Sequence, residues 1–201
     1  MSTTLRPSPL ALAVLGLLED GPLHPYRMQQ LIKMWGKDEV INVGQRASLY
    51  RTISRLLDAG LIKVYGTTRD QQYPERTSYE LTDAGRHARQ QWLAQTLTTP
   101  RNEYPEFPAA LSFLPLITPD IADTLLSTRR DRLVERLSER DAAISRAGVQ
   151  LPSVTLLETE FLHAQIEAEI RWIDNVLANL RDGSLSWTTN ELHHTAERIE
   201  A

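Results

Sequence analysis

Apolar positions recur every three or four residues along most of this chain, the spacing of amphipathic helices. The rhythm gives way to strand-like runs between residues 61 and 81. The first helical pattern covers about residues 8–20, with Ser8 placed to cap it and Pro9 at the first helical position. Gly21-Pro22 ends it. A second helix begins near His24-Pro25 and ends near Gly36, with Met28, Leu31, Ile32 and Trp35 at helical spacing. Residues 37–43 read as a connecting loop, and a third helix is expected over about residues 44–59. Leu61-Ile62-Lys63-Val64-Tyr65 and Thr77-Ser78-Tyr79-Glu80-Leu81 have strand composition, and polar residues 66–76 read as a long hairpin tip between them. Thr82-Asp83 then cap a fourth helix reaching about residue 97.

Prolines at 100, 105, 108, 115 and 119 interrupt the pattern, so residues 98–118 are expected to be a proline-rich linker or short irregular helices. Phe107, Leu111, Phe113 and Leu114 nevertheless call for burial. Two long helical patterns follow. The first, about residues 119–148, sets Ile121, Leu125, Leu133, Leu137 and Ile144 along one stripe. The second, about residues 153–181, carries Leu157, Phe161, Ile166, Ile170, Ile173, Val176, Leu177 and Leu180. Gly148 and Pro152 make the turn between them, which predicts a helical hairpin. Gly183 closes the second long helix and a polar tail follows. The expected fold class is mainly α with a small β-hairpin.

Helix, glycine stop, ribbon, helix is the order of a winged helix-turn-helix. Residues 1–97 are therefore expected to form a DNA-binding domain, and residues 119–201 a helical dimerisation domain. On a helical wheel, Leu49, Ile53, Leu56 and Leu57 share a stripe about 100° wide. Arg51 and Arg55 lie opposite, flanked by Ala47, Ser48, Ser54 and, at the edge, Tyr50. Such a short, polar, cationic face suits a major groove, where arginines bond guanine edges or phosphates. Gln45 and Arg46 sit at the N-terminal end, where free amides and the helix dipole favour phosphate. Arg69 and Arg76, with Gln71 and Gln72, lie in the wing and would touch backbone or minor groove. An ordinary solvated face has a similar composition; the glycine stop, the ribbon and the two preceding helices favour the DNA reading.

Composition modifies this picture in three ways. The formal charge is −4, but residues 1–100 hold 12 Lys+Arg against 9 Asp+Glu, while residues 101–201 hold 10 against 17. The cationic half faces nucleic acid, and the acidic half has another task. No cysteine is present, which excludes disulfides, thiolate metal sites and cysteine nucleophiles and suits a reducing cytoplasm. The apolar run from Leu10 to Leu18 is followed by Glu19-Asp20 rather than small cleavage-site residues, so a buried helix is expected there, in a soluble intracellular protein. His163 and the His193-His194 pair lack ligand spacing, so no metal and no cofactor are expected. Neither a nucleophile elbow nor a phosphate loop is found, so an enzyme is not expected.

The chain resembles the PadR family of transcriptional regulators. The resemblance lies in Ser48-Leu49-Tyr50-Arg51, in Leu56-Leu57-Asp58-Ala59-Gly60-Leu61-Ile62, and in Arg76-Thr77-Ser78-Tyr79-Glu80-Leu81-Thr82-Asp83-Ala84-Gly85-Arg86. Leu15-Gly16-Leu17-Leu18 and Gly21-Pro22-Leu23-His24 fit as well, and together these cover about residues 8–90. Pro25 departs from the family, which usually has glycine before Tyr26. Beyond residue 100, Glu106-Phe107-Pro108-Ala109-Ala110-Leu111-Ser112-Phe113-Leu114 and the long helices look like members with a large helical, virulence-activator-like C-terminal domain. The resemblance implies a homodimer joined through C-terminal helices that binds a partly palindromic operator in double-stranded DNA. It also implies a repressor of detoxification or efflux genes that a small ligand relieves.

A lone two-helix hairpin buries little, so pairing with a second copy is the expected solution for the long helices. Two heads related by a two-fold would reach half-sites about 34 Å apart. Trp92, Phe107, Phe113 and Trp172 are candidates for lining a cavity for a small aromatic or apolar effector, with ordinary core packing as the plainer reading. Two rivals stand beside the main expectation. One is a constitutive regulator without an effector, and the other a winged helix used as a protein-interaction module.

Overall fold

The computed structural model describes residues 7–70, 73–147 and 152–188. The chain divides into two compact units, Met1–Asn102 and Glu103–Ala201.

In the first unit, helix α1 runs Pro9–Leu17, and the Ser8 hydroxyl accepts the Ala11 amide at 3.2 Å. Helix α2 runs Pro25–Met34, where Nδ1 of His24 accepts the Tyr26 amide at 3.1 Å. Proline opens both helices, where no intrahelical amide bond is lost. Helix α3 runs Arg46–Asp58, shorter at its start than the wheel implied, with Gln45 just ahead of it. Strands β1, Ile62–Asp70, and β2, Tyr73–Leu81, pair antiparallel with Ile62 opposite Leu81 and Val64 opposite Tyr79. Helix α4, Asp83–Thr98, completes the unit.

Two expectations about loops need correction. Residues 37–43 are not plain loop: Lys37–Glu39 form a 3-10 turn and Val43 is buried. The wing is also more regular than its polar composition suggested. Thr67 pairs with Thr77, Thr68 with Arg76 and Asp70 with Tyr73, so the ladder continues into residues 66–76, where a long hairpin tip was expected. Backbone pairing in a two-stranded ribbon is indifferent to whether its side chains are polar, and composition therefore hid it.

The core of this unit gathers Val14, Leu15 and Leu18, then Met28, then Leu49, Ile53 and Leu56, then Ile62, Leu81 and Trp92. Every element thus contributes to one cluster. Trp92, an effector-cavity candidate, is instead packed into that core. Glu19, just beyond α1, pairs with Arg89 at 2.7 Å and Arg86 at 3.6 Å on α4.

The end of α3 is fixed by two glycines. Gly60 takes a left-handed φ of 69°, its amide bonding the Leu57 carbonyl at 2.9 Å and that of Leu61 the Leu56 carbonyl at 2.9 Å. This is the glycine C-cap that satisfies the last helical carbonyls. Thr82 then caps α4: its hydroxyl accepts the Gly85 amide at 3.0 Å and lies 2.8 Å from the Gly60 carbonyl and 2.9 Å from that of Leu61. At Gly85 a Cβ would fall 2.0 Å from the Leu61 carbonyl oxygen. Only glycine lets α4 approach the end of α3 this closely.

In the second unit, helix α5 runs Glu106–Leu111 and a 3-10 turn spans Leu114–Leu116. The long helices are α6, Pro119–Ala147, and α7, Leu157–Arg181, with a 3-10 turn at Ser153–Thr155 ahead of the latter. They lie antiparallel around Leu126, Leu133, Ile166, Ile173 and Leu177, with Phe107 and Leu111 packed alongside. Arg130 pairs with Asp174 at 2.7 Å and Arg181 with Asp123 at 2.8 Å across the hairpin. The carboxylate partners hold both guanidinium groups above the ordinary arginine range. Trp187 Nε1 donates to the Ile117 carbonyl at 2.8 Å, tying residues past α7 to the entry of α6.

The stripe assigned to α6 is rotated by one residue at its start. Ala122 and Leu126 are buried, whereas Ile121 and Leu125 are about half exposed. Alanine allows close helix contact, and Asp123 on the adjoining position pairs with α7. On α7, Leu157 and Phe161 are exposed although the apolar period includes them. The Ile144 side chain, residues 148–151 and the tail 189–201, including His193 and His194, lie outside the described residues.

Gly85→Ala should destabilise the first unit by about 1–3 kcal/mol, the range for overpacking. Urea unfolding followed by far-ultraviolet circular dichroism measures it, and an unchanged midpoint would refute the close-contact reading.

Candidate nucleic-acid interface

Helix α3 exists as an amphipathic element because Leu49, Ile53 and Leu56 are buried in the first unit's core while their opposite neighbours stay in solvent. Gln45, Arg46, Ala47, Arg51, Ser54 and Arg55 are all exposed. Tyr50 is half exposed at the edge, and Ser48 is partly buried. No acidic residue interrupts the face between Arg46 and Arg55; Asp58 is exposed at the far end. The face is therefore cationic over about three turns.

Arg51 folds back along its own helix. Its Nε donates to the Ala47 carbonyl and Nη2 to the Ser48 hydroxyl, both at 3.3 Å. Long, exposed bonds of this kind hold a side chain only loosely. Thr52 donates its hydroxyl to the Ser48 carbonyl at 2.9 Å and stays partly buried, turned from the cationic side.

The approach to α3 is held by contacts that the sequence pattern did not reveal. Gln29 on α2 donates Nε2 to the Val43 carbonyl at 2.8 Å, and Asn42 accepts the Gly44 amide at 3.2 Å. These fix the turn between the two helices. Gln29 carried no signal, since a polar residue on a helix looks the same whether it is solvated or bonded across a turn. Leu23 and Tyr79 exchange two backbone bonds of 3.0 Å, docking β2 onto the turn between α1 and α2. Burial, followed by the nearby Tyr50 phenol, raises the Tyr79 hydroxyl above its ordinary pKa. The ribbon is thus held beside α3 rather than left to swing.

Arg69 lies on β1 and Arg76 on β2, toward the far end of the ribbon. Their side chains, with Gln71 and Gln72, lie outside the described residues. The structure therefore brings Gln45, Arg46, Arg51, Ser54 and Arg55 onto one exposed surface, with Tyr50 beside it and Ser48 behind Arg51. Among the described residues, no cluster of three His, Asp or Glu side chains is arranged to hold a metal. No helix among them is long and apolar enough to cross a membrane.

Comparison with known proteins agrees with this geometry. The fold matches Bacillus subtilis PadR in complex with operator DNA at a TM-score of 0.68 and 20% identity, covering 86% of this chain and 99% of that one. The same protein in complex with p-coumaric acid matches at 0.63 and 19%, covering 88% and 99%. A PadR-like transcriptional regulator from Bacillus cereus matches at 0.58 and 18%, covering 89% and 99%. At such identities the likeness shows a shared fold. No curated protein sequence matches the chain significantly. Residues 14–91 match the pattern of the transcriptional regulator PadR-like family, whose members, like these structural neighbours, are regulators and not enzymes. That match lies within the first unit, so the winged helix of this chain is similar to that of the transcriptional regulator PadR-like family.

Proposed function

We propose that the chain is a dimeric, sequence-specific DNA-binding repressor that reads a partly palindromic operator with α3 and is released by a small-molecule effector. One observation carries the DNA reading: Arg46, Arg51 and Arg55 stand exposed on the side of α3 opposite its buried leucines. A helix used only for protein docking has no need of three guanidinium groups without an acidic neighbour. Arg51 and Arg55 reach base edges or phosphates, Ser54 and Ala47 allow close approach, and Gln45 and Arg46 meet the backbone at the helix start. Tyr50 and Ser48 support the edge of the contact. Arg69 and Arg76 extend it through the wing. The operator complex of a protein with the same fold supports this assignment.

Pairing is supported by apolar residues that the second unit leaves in water. Ile121 and Leu125 are exposed at the start of α6, and Leu157 and Phe161 at the start of α7. Because the hairpin is antiparallel, a two-fold axis across it brings one end of each copy against the opposite end of the other. Effector relief draws its support from the p-coumaric acid complex of the structural neighbour. A repressor of this kind works in the cytoplasm, where its operator lies.

Binding to DNA upstream of its own gene should weaken steeply with salt. Arg51→Ala and Arg55→Ala should each reduce the magnitude of the log–log salt slope by about one. Fluorescence anisotropy at several salt concentrations measures this; slopes and affinities matching the parent in both variants would remove α3 from the interface. Phe161→Asp combined with Leu125→Asp should give monomers in sedimentation velocity and weaken operator binding by more than about tenfold. A dimer that survives both changes would place the interface elsewhere.

A further inference from the structure

The second unit contains a cleft of about 640 Å³ between α5, α6 and α7. Phe107, Leu111 and Trp172 form its apolar side, and Glu106, Arg129 and Glu169 its polar side. The Phe107 and Trp172 rings meet edge to face, with centroids 6.0 Å apart and planes at 85°. They therefore present two nearly perpendicular aromatic surfaces. One is already used: the Arg129 guanidinium lies 3.7 Å from the Phe107 centroid while its Nε donates to Glu169. Trp172 is 42% exposed.

The arrangement is built around a flat cation, and the cation it holds is its own. Two carboxylates and one guanidinium line the cleft, which leaves the lining one negative charge in excess. The surrounding half of the chain adds to this, with 17 Asp+Glu against 10 Lys+Arg. An aromatic anion entering here meets that excess charge and finds Arg129 already bonded to Glu169. A planar cation meets the opposite situation, because aromatic faces and carboxylates both attract it.

We propose that this cleft binds a flat organic cation, its ring against the Trp172 indole and its charge toward Glu106, the carboxylate that Arg129 does not engage. The proposal names the chemical class of the effector in the function proposed above, and rests on that reading for its regulatory consequence alone. It sets this chain apart from the structural neighbour in complex with p-coumaric acid, an aromatic acid.

Rhodamine 6G and fluorescein test the charge rule, since they share a xanthene ring system and carry opposite charge at neutral pH. In anisotropy titrations of the full chain without DNA, rhodamine 6G should bind saturably and fluorescein at least about tenfold more weakly. Trp172→Ala should lower rhodamine affinity about tenfold and Glu106→Gln several-fold, with circular dichroism unchanged. Should Trp172→Ala fail to fold, Glu106→Gln decides, because that side chain is exposed. Equal binding of the two dyes, or parent-like rhodamine affinity in the folded variants, would overturn the assignment. Adding rhodamine 6G to the operator complex separates the two levels. Release supports the effector role, whereas saturable binding without release keeps the cleft and removes its part in regulation.

Discussion

The first unit depends on one close approach, where the end of α3, the end of β2 and the start of α4 share a few backbone atoms. The Leu61 carbonyl accepts the Thr82 amide at 3.2 Å, lies 2.9 Å from the Thr82 hydroxyl, and leaves no room for a side chain at Gly85. Capping and contact are therefore the same event. The threonine that starts α4 also fastens it to the last turn of α3, and the glycine one turn later makes the fit feasible. Loosening this junction would move α3 relative to both the ribbon and α4, and the buried cluster from Leu49 to Trp92 with it. The orientation of the exposed arginines rests on that cluster.

The cationic face is rigid in backbone and loose in side chain, which suits the DNA contact proposed for it. Leu49, Ile53 and Leu56 hold the helix from behind, and Gln29 holds the turn that leads into it. Arg51, by contrast, is parked on Ala47 and Ser48 by two bonds of 3.3 Å in open solvent. Such bonds contribute little against water. The guanidinium can exchange them for a phosphate or a guanine edge without unfolding anything.

The second unit distributes its interactions differently. Its apolar seam is narrow, and ion pairs flank it: Arg130–Asp174 and Arg181–Asp123 cross from α6 to α7 on exposed surfaces. Exposed pairs of this kind contribute little against water, so they specify the register of the hairpin more than they stabilise it. Trp187 closes the end near Ile117, and the aromatic cleft beside Arg129 opens elsewhere along the seam. Leu157 and Phe161, left in water by this packing, are the residues that a further partner would cover.

Local chemistry was enough for much of this. Ser8 with Pro9, Thr82 with Asp83, and Gly60 after a leucine stripe each act through the next few backbone atoms, so sequence alone placed the starts of α1 and α4 and the end of α3. The buried and exposed sides of α3 were legible as well, because one strong apolar stripe leaves no second way to turn the helix. Long-range geometry was not legible. Periodicity could not choose between Ile121 and Ala122 on α6, since both fit the spacing and the facing helix decides which is covered. Composition concealed the paired outer wing, whose ladder is made by backbone alone. Nor could it show that Trp92 belongs to a core while Phe107 and Trp172 frame a cleft, because an aromatic residue's surroundings depend on residues far away in the chain. Sequence determined what each segment is; only the tertiary structure decided what each segment touches, because contacts between distant residues exist only once the chain has closed on itself.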